Sequence, residues 1–322
     1  MTRESWQPQV SVGMPVYNGD AFLREAFDSL LGQTFGDFEL VVSDNASTDG
    51  TQEICEEYAR TDSRFRYVRQ EQNIGANENF NEVVRLAKGR YFRWAADDDV
   101  CLPTYLAETY ALLEKDPDAV LAHCFTSYID EYSKPLEADG TGFRTSDGEH
   151  VDGPDQSVAV RPLRSPLPHV RLKDVLINTR WCFEIFGLMR REALLRTALQ
   201  QTFYGTDKVL LAELALLGTW RVAEEPLWLR RCHPGASNHM SVWQKAKWAN
   251  PDAKKSTLPV TRMVRGYADA IERQHFSPME RAQCYRALAV LAVQPDKFRK
   301  LLVPGPHNYF GIGNRPSAVA RL

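Results

Sequence analysis

Asp97, Asp98 and Asp99 follow one another at the end of an apolar and aromatic run, in the stretch RYFRWAADDDVCLP. Adjacent like charges repel, so a carboxylate cluster at a strand end is costly unless a cation neutralises it. Hard divalent cations prefer carboxylate and phosphate oxygens. Mg2+ or Mn2+ is usually held by one or two carboxylates together with a substrate's phosphates. The three residues therefore point to diphosphate chemistry around a metal; the competing use is a solvated acidic loop that caps the next helix. A second carboxylate, Asp44, closes another apolar run in FELVVSDNASTDGT. There it can accept hydrogen bonds from a ribose hydroxyl or a base N–H. Ser47, Thr48 and Asp49, just beyond it, suit turn and helix N-cap chemistry.

These carboxylates act together only if their strands end together. VSVGMPV (10–16), FELVVS (38–43), FRYVRQ (65–70) and RYFRWAA (90–96) read as strands, and AVLAHCFTSYID (119–130) as further strand. Between them lie helical patterns. Phe22, Leu23, Ala26, Phe27, Leu30 and Leu31 share one stripe, and Phe80, Val83, Val84 and Ala87 share another. Such alternation predicts an α/β fold, a mainly parallel mixed sheet with helices on both faces. In such sheets ligands gather at the carboxyl ends of the strands, at the switch point. Three of those ends, PVYNGD, SDNASTDGT and ADDDV, offer oxygen-bearing side chains to one crevice.

From 133 to 170 the pattern fails and Gly, Pro, Ser and Asp dominate, which predicts a long loop with room for a small hairpin. VRLKDVLINT then reads as a helix, WCFEIFGLMR (181–190) as a strand, REALLRTAL and DKVLLAELALLG as helices, and TWRVAEEPLWLRRC as one or two strands. Two helices, VTRMVRGYADAIERQ and MERAQCYRALAVLAV, follow from 259.

The totals narrow the options. With 322 residues the chain exceeds one ordinary domain. Its 39 basic and 42 acidic residues give a net charge of −3, so no general affinity for nucleic acid is expected. Cys55, Cys101, Cys124, Cys182, Cys232 and Cys284 form no CxxC pair, which fits ordinary thiols in a reducing compartment. The start has no signal-peptide core, and no window approaches a membrane span. A soluble, cytoplasmic protein is expected. The first strand end lacks both GxGxxG and GxxxxGK[ST], and Pro15 removes an N–H where a phosphate cradle wants one. That argues against a nicotinamide dehydrogenase and a P-loop enzyme.

VSVGMPVYNG, FELVVSDNASTDGT, NIGANENFNEVVRLAKGRYFRWAADDDVCLP and YGTDKVLLAELALLGTWRVAEEPLWLRRCH together resemble the family 2 glycosyltransferases. The resemblance is strong over 9–130 and weaker over 180–235. It implies a GT-A (Rossmann-like) fold and inverting transfer from a nucleotide-diphosphate sugar, with UDP the expected nucleotide and Mn2+ or Mg2+ the cofactor. The resemblance together with the helical patterns of the tail divides the chain into a GT-A domain, 1–235, and a mainly helical extension, 236–322. Within the domain, 9–130 would bind the nucleotide sugar and 131–235 the acceptor. Pro15, Tyr17 and Asn18 match the family's first nucleotide loop, Asp44 its uracil-contacting aspartate, and Asn73 and Gly75 the segment beside the nucleotide. Asn45 stands where the family often has a second carboxylate. Asp97 and Asp99 fit the DxD motif best, with Ala96 where relatives often carry an acid. The resemblance therefore favours Asp99 as metal ligand, with Asp97 and Asp98 on ribose or metal-bound water.

Inverting transfer needs a carboxylate to take the acceptor's proton. Asp207 matches the family's base position, with Thr206 where a Glu is common; its competing use is a helix N-cap. Glu184, a charge inside an apolar run, is the second candidate. His233 lies where some relatives place a metal- or diphosphate-contacting histidine, beside Arg230 and Arg231. Trp181 and Phe183 could stack on an acceptor, or simply pack in the core. The acceptor could be a sugar, a lipid-linked sugar or a small molecule, as polysaccharide or glycoconjugate synthesis would require. Arg281, Arg286, Lys297, Arg299 and Lys300 leave open a peripheral membrane contact, a homo-oligomer contact or a solvated helix face. Two rivals remain: a nucleotidyltransferase, which MPVYNGD disfavours because it lacks Lys and Arg, and a non-catalytic nucleotide-sugar binder.

Overall fold

A computed structural model describes residues 7–138, 142–144, 150–151, 161–179, 181–203, 205–233, 235, 242–252 and 259–293. Chain order runs β1 (Val10–Val16), α1 (Leu23–Leu31), β2 (Phe38–Asp44), α2 (Thr51–Thr61), β3 (Phe65–Arg69), α3 (Ala76–Leu86), β4 (Tyr91–Trp94), β5 (Val100–Cys101), α4 (Tyr105–Lys115) and β6 (Ala119–Ile129). Next come three two-residue strands, β7 (Glu137–Ala138), β8 (Phe143–Arg144) and β9 (His150–Val151), then α5 (Pro168–Asn178). A 3-10 turn (Phe183–Phe186), β10 (Leu188–Arg190), α6 (Arg191–Leu195), α7 (Thr206–Leu217) and β11 (Thr219–Arg231) complete the sheet domain. Beyond it lie α8 (Val242–Ala249), α9 (Pro259–Glu272) and α10 (Pro278–Ala289).

The main sheet has the order β3-β2-β1-β4-β10-β6-β11-β5. β1 runs parallel to both β2 and β4, β2 to β3, and β11 to β6. β10 is antiparallel to β4 and β6, and β5 to β11. The sheet is thus mixed, with the parallel pairings in the majority. From β1 the chain moves outward through β2 and β3, then crosses to β4 on the other side of β1. The carboxyl ends of β1 and β4 therefore form the switch point, and Tyr17–Asp20 and Asp97–Asp99 leave the sheet there.

All seven residues of β2 are buried, as a strand covered on both faces requires. α1, α2 and α4 cover one face through Leu23, Phe27, Ile54 and Tyr105. α3, α5, α7, α9 and α10 cover the other through Val83, Leu172, Leu210, Tyr267 and Cys284. α7 is apolar nearly all round and is buried nearly all round, between the sheet and the outer helices.

The chain departs from expectation in several places. Residues 181–190 are not one strand. Cys182 takes a left-handed φ of 56°, and the aromatic run closes into a 3-10 turn by Ile185 N–H to Cys182 O and Gly187 N–H to Glu184 O. An apolar run without a period does not distinguish the two forms. In 133–170, β7, β8 and β9 make a three-stranded antiparallel sheet rather than a hairpin. The helix expected over REALLRTAL stops at Leu195, and α8 is a helix of the expected helical extension for which no separate bounds are read. Lys297, Arg299 and Lys300 lie outside the described residues.

Candidate active site

The loops after β1 and β2 are fastened to each other. Asn18 N–H donates to Ser47 Oγ (2.9 Å), and Thr48 N–H donates to Asn18 Oδ1 (2.8 Å). Gly19 N–H donates to Thr51 Oγ1 (2.9 Å), Asp20 N–H donates to Asp49 Oδ2 (3.2 Å), and Gly50 N–H donates to Asp20 Oδ2 (3.1 Å) across the same seam. Ser47, Thr48 and Asp49 therefore do the turn work their types suggest. Tyr17 stands exposed at the rim, and Pro15 is half-buried just below it in β1.

Asp44 is wholly buried and fully engaged. Its Oδ1 accepts Ser47 N–H (2.8 Å); its Oδ2 accepts Tyr67 O–H (2.8 Å) and the Arg69 guanidinium. This set holds the turn in which Ala46 takes a left-handed φ of 62°, a conformation an alanine adopts only under outside constraint. Next to it, Asn45 Oδ1 accepts Ile74 N–H (2.8 Å), and Asn45 Nδ2 donates to Asn73 Oδ1 (3.1 Å). Asn73 Oδ1 also accepts Gly75 N–H (2.9 Å). Gly75 has φ 87°, and a Cβ there would lie 2.6 Å from Pro251 Cδ, so glycine is required twice over.

Asp97, Asp98 and Asp99 turn three ways. Asp97 lies against Gly19: a Cβ on Gly19 would stand 2.3 Å from Asp97 Oδ2. Asp98 faces His233, its Oδ2 3.0 Å from Nε2. Asp99 is 8% exposed, and its Oδ1 accepts Arg231 N–H (2.9 Å). Burial, then the neighbouring Asp98 charge, raises Asp97 and Asp99 above the ordinary carboxylate range. His233 offsets this for Asp97 and Arg230 for Asp99. His233 itself packs edge-on against Phe22, ring centroids 4.8 Å apart.

Among the described residues no group of three or more His, Cys, Asp or Glu is arranged to hold a metal unaided. What the site presents is one carboxylate and one imidazole, both partly exposed, beside a second carboxylate. That donor set fits a divalent cation completed by substrate phosphates and water, not a closed protein cage.

The second group of expected residues gathers on the far half. Gly205 caps α7 in a left-handed conformation (φ 84°), so Asp207 lies one step inside the helix rather than at its N-cap. Burial raises the Asp207 carboxyl, and Lys208 and Lys245 offset the rise. Cys182 and Tyr267 both feel the Asp207 charge, which places it beside the 3-10 turn. Glu184 is on that turn, 2% exposed, its carboxyl pushed up to about 7 by burial. Half-buried Trp181 packs on Phe183, which meets Trp228 edge-on (5.6 Å). The Arg230 guanidinium lies 5.0 Å from the Phe183 ring centroid and acts on Asp99, spanning the two groups.

Arg69, Gly19 and Lys245 were not singled out from sequence. Arg69 carried a usable signal, a charge at the carboxyl end of a strand; Lys245 carried none, because only packing brings α8 near Asp207.

Residues 11–167 match the family described as glycosyl transferase family 2. An uncharacterized glycosyltransferase of Methanocaldococcus jannaschii is 33% identical over 139 residues, 42% of this chain and 48% of that protein. Glycosyltransferase GlyG of Streptococcus pneumoniae is 32% identical over 117 residues, 36% of this chain and 39% of that protein. The chain thus spans less than half the length of these relatives. The crystal structure of Staphylococcus aureus TarS 1–349 superposes with a TM-score of 0.61 at 17% identity, over 92% of this chain and 75% of that one. The sheet order, the helices on both faces and this likeness make the fold GT-A, with a helical C-terminal region. Residues 11–167 of this chain are thus similar to glycosyl transferase family 2.

Proposed function

We propose that the chain is an inverting glycosyltransferase that moves a sugar from a nucleotide-diphosphate sugar to an acceptor hydroxyl. The observation that carries this reading is the pairing of Asp98 with His233 at the switch point, next to Asp97. Crowded carboxylates, two of them raised by burial and mutual charge, suit a place that a cation and a diphosphate complete. Asp98 and His233 would hold Mn2+ or Mg2+; when bound, it neutralises the charge that develops on the departing diphosphate. Asp99 serves instead as the anchor of the β11 end, and Asp97 lies where the loop carrying Asn18 and Gly19 meets the nucleotide. Asp44 and Arg69 shape the nucleoside pocket, with Asn45, Asn73 and Gly75 along its wall. TarS has been crystallised with UDP and with UDP-GlcNAc, which makes UDP the first nucleotide to test.

In the transfer itself Asp207 takes the proton of the acceptor hydroxyl. The acceptor oxygen attacks the anomeric carbon as its bond to the diphosphate breaks from the opposite side, and the nucleoside diphosphate leaves. Lys245 and Lys208 help keep Asp207 ionised. Trp181 and the turn bearing Glu184 form the acceptor wall, and the acceptor is a sugar, lipid-linked or small-molecule hydroxyl.

Calorimetry with UDP, with and without Mn2+, tests the donor site. Asp98→Ala should lose the Mn2+ dependence of UDP binding, and Asp207→Asn should bind UDP normally while turnover falls at least ~100-fold. Full turnover by Asp207→Asn would remove it as the base. Metal-independent UDP binding by the unmodified protein would remove the cation site.

A further inference from the structure

Residues 198–201, in the segment that leads to Asp207, have their backbone groups held by side chains. Ala198 N–H donates to both oxygens of the buried Glu213 (3.2 and 3.1 Å). Leu199 N–H donates to Thr197 Oγ1 (3.1 Å), and Gln201 N–H to Thr206 Oγ1 (2.7 Å). Between them, Gln200 N–H donates to Asn81 Oδ1 (2.9 Å), and Asn81 Nδ2 donates back to Gln200 O (2.8 Å). Asn77 Nδ2 donates to Gln201 O. Leu199, in the middle, has a left-handed φ of 55°. A γ-branched residue keeps that conformation only where its surroundings over-determine it, and such residues collect at functional sites.

Asn77 and Asn81 are both buried and stand one turn apart on the same face of α3. Asn79, on the opposite face, pairs with β2: its Nδ2 donates to Ser43 O (2.8 Å), and Ser43 Oγ donates to Asn79 Oδ1 (2.6 Å). α3 follows its N-cap Gly75, in the segment clipped to Asn45. One helix thus touches the nucleotide side through its start and through Asn79, and grips the segment before α7 through Asn77 and Asn81. Only an amide side chain can answer one residue's N–H and C=O together at this length.

We infer that Asn81, assisted by Asn77, is a positioning residue that sets where Asp207 stands relative to the donor. This rests on the reading of Asp207 as the base. A carboxylate misplaced by about 1 Å can cost roughly 100-fold in rate, so a bracket between the two halves has a direct kinetic effect.

The test compares Asn81→Ala, Asn77→Ala and Asp207→Asn. UDP binding is measured by calorimetry. Turnover is measured as nucleotide release, from whichever of a panel of UDP-, GDP- and dTDP-sugars the unmodified protein turns over fastest. Asn81→Ala should lower kcat by about 10–100-fold with the UDP Kd within about threefold of normal. Asn77→Ala, which loses one bond, should show a smaller drop and carries the test if Asn81→Ala does not fold. In both, the loosened segment lets water reach Asp207, so the acid limb of the kcat profile should move to lower pH. Normal kcat in the folded asparagine variants, beside an inactive Asp207→Asn, would overturn the inference alone. A parallel fall in kcat and UDP affinity would overturn it too, by showing a general structural role. Full activity in Asp207→Asn would overturn the base reading instead.

Discussion

Asp98 and Asp99 are the same residue on adjacent positions in the bend between β4 and β5, which aims their side chains differently. Asp99 therefore turns inward to the Arg231 N–H, while Asp98 turns outward to His233. The family resemblance favoured Asp99 as metal ligand and set Asp98 on ribose or metal-bound water; the geometry that separates them is contact with the end of β11 and with His233 just past it, more than 130 positions away. Glu184 shows a second residue-scale effect. Its carboxyl titrates near 7 in the folded chain against an ordinary value near 4.5. The folded state therefore holds a proton that the unfolded state has released, and stability falls as pH rises from about 4.5 to 7. Glu184→Gln should remove this loss, so the variant should be the more stable above pH 7 and its stability should depend less on pH. Urea unfolding at pH 5 and pH 8 checks this; an unchanged pH dependence would show that Glu184 is not the proton holder.

At the scale of elements, short loops do the positioning. The loop after β1 meets the loop after β2 through Asn18, Ser47 and Thr48, and it approaches Asp97 so closely that only glycine fits at position 19. Gly19→Ala would push the Asp97 carboxylate aside while leaving both strands and α1 intact. UDP affinity should fall roughly 10-fold or more, with a thermal midpoint within a few degrees of normal. A normal affinity would show that Asp97 does not border the nucleotide. Most of these elements were legible. β1, β2 and β3 stand within a residue of the expected bounds, since buried apolar runs bracketed by turn residues have few other uses. The 3-10 turn at Phe183–Phe186 was not legible, because its residues are as apolar as a strand's and their choice of form depends on the two cores they enter.

At the scale of the molecule, Arg231 joins the first and last parts of the sheet domain. It is 2% exposed, at the end of β11. Its guanidinium donates to Asp98 O (2.8 Å), Asp130 O (3.0 Å), Ser133 Oγ (2.9 Å) and Glu25 Oε2 (2.5 Å). Arg231→Met would leave two buried carbonyls without this donor and free the acidic turn. A loss of about 2–4 kcal/mol in unfolding free energy is expected, together with weaker UDP binding. A stability change below about 1 kcal/mol would show that the carbonyls find other donors. Among the described residues no helix is long and apolar enough to cross a membrane.

The sequence by itself determined the α/β alternation, the strand ends that carry carboxylates and the resemblance to one family. Periodicity and turn chemistry are local, so they can be read from neighbours in the chain. Only the tertiary structure decided which aspartate faces His233, that Asp44 is engaged by Tyr67 and Arg69, and that α3 grips the segment before Asp207. Each of these depends on side chains brought together from distant positions. Their pairing is set by how the two cores pack on the sheet, which no local pattern encodes.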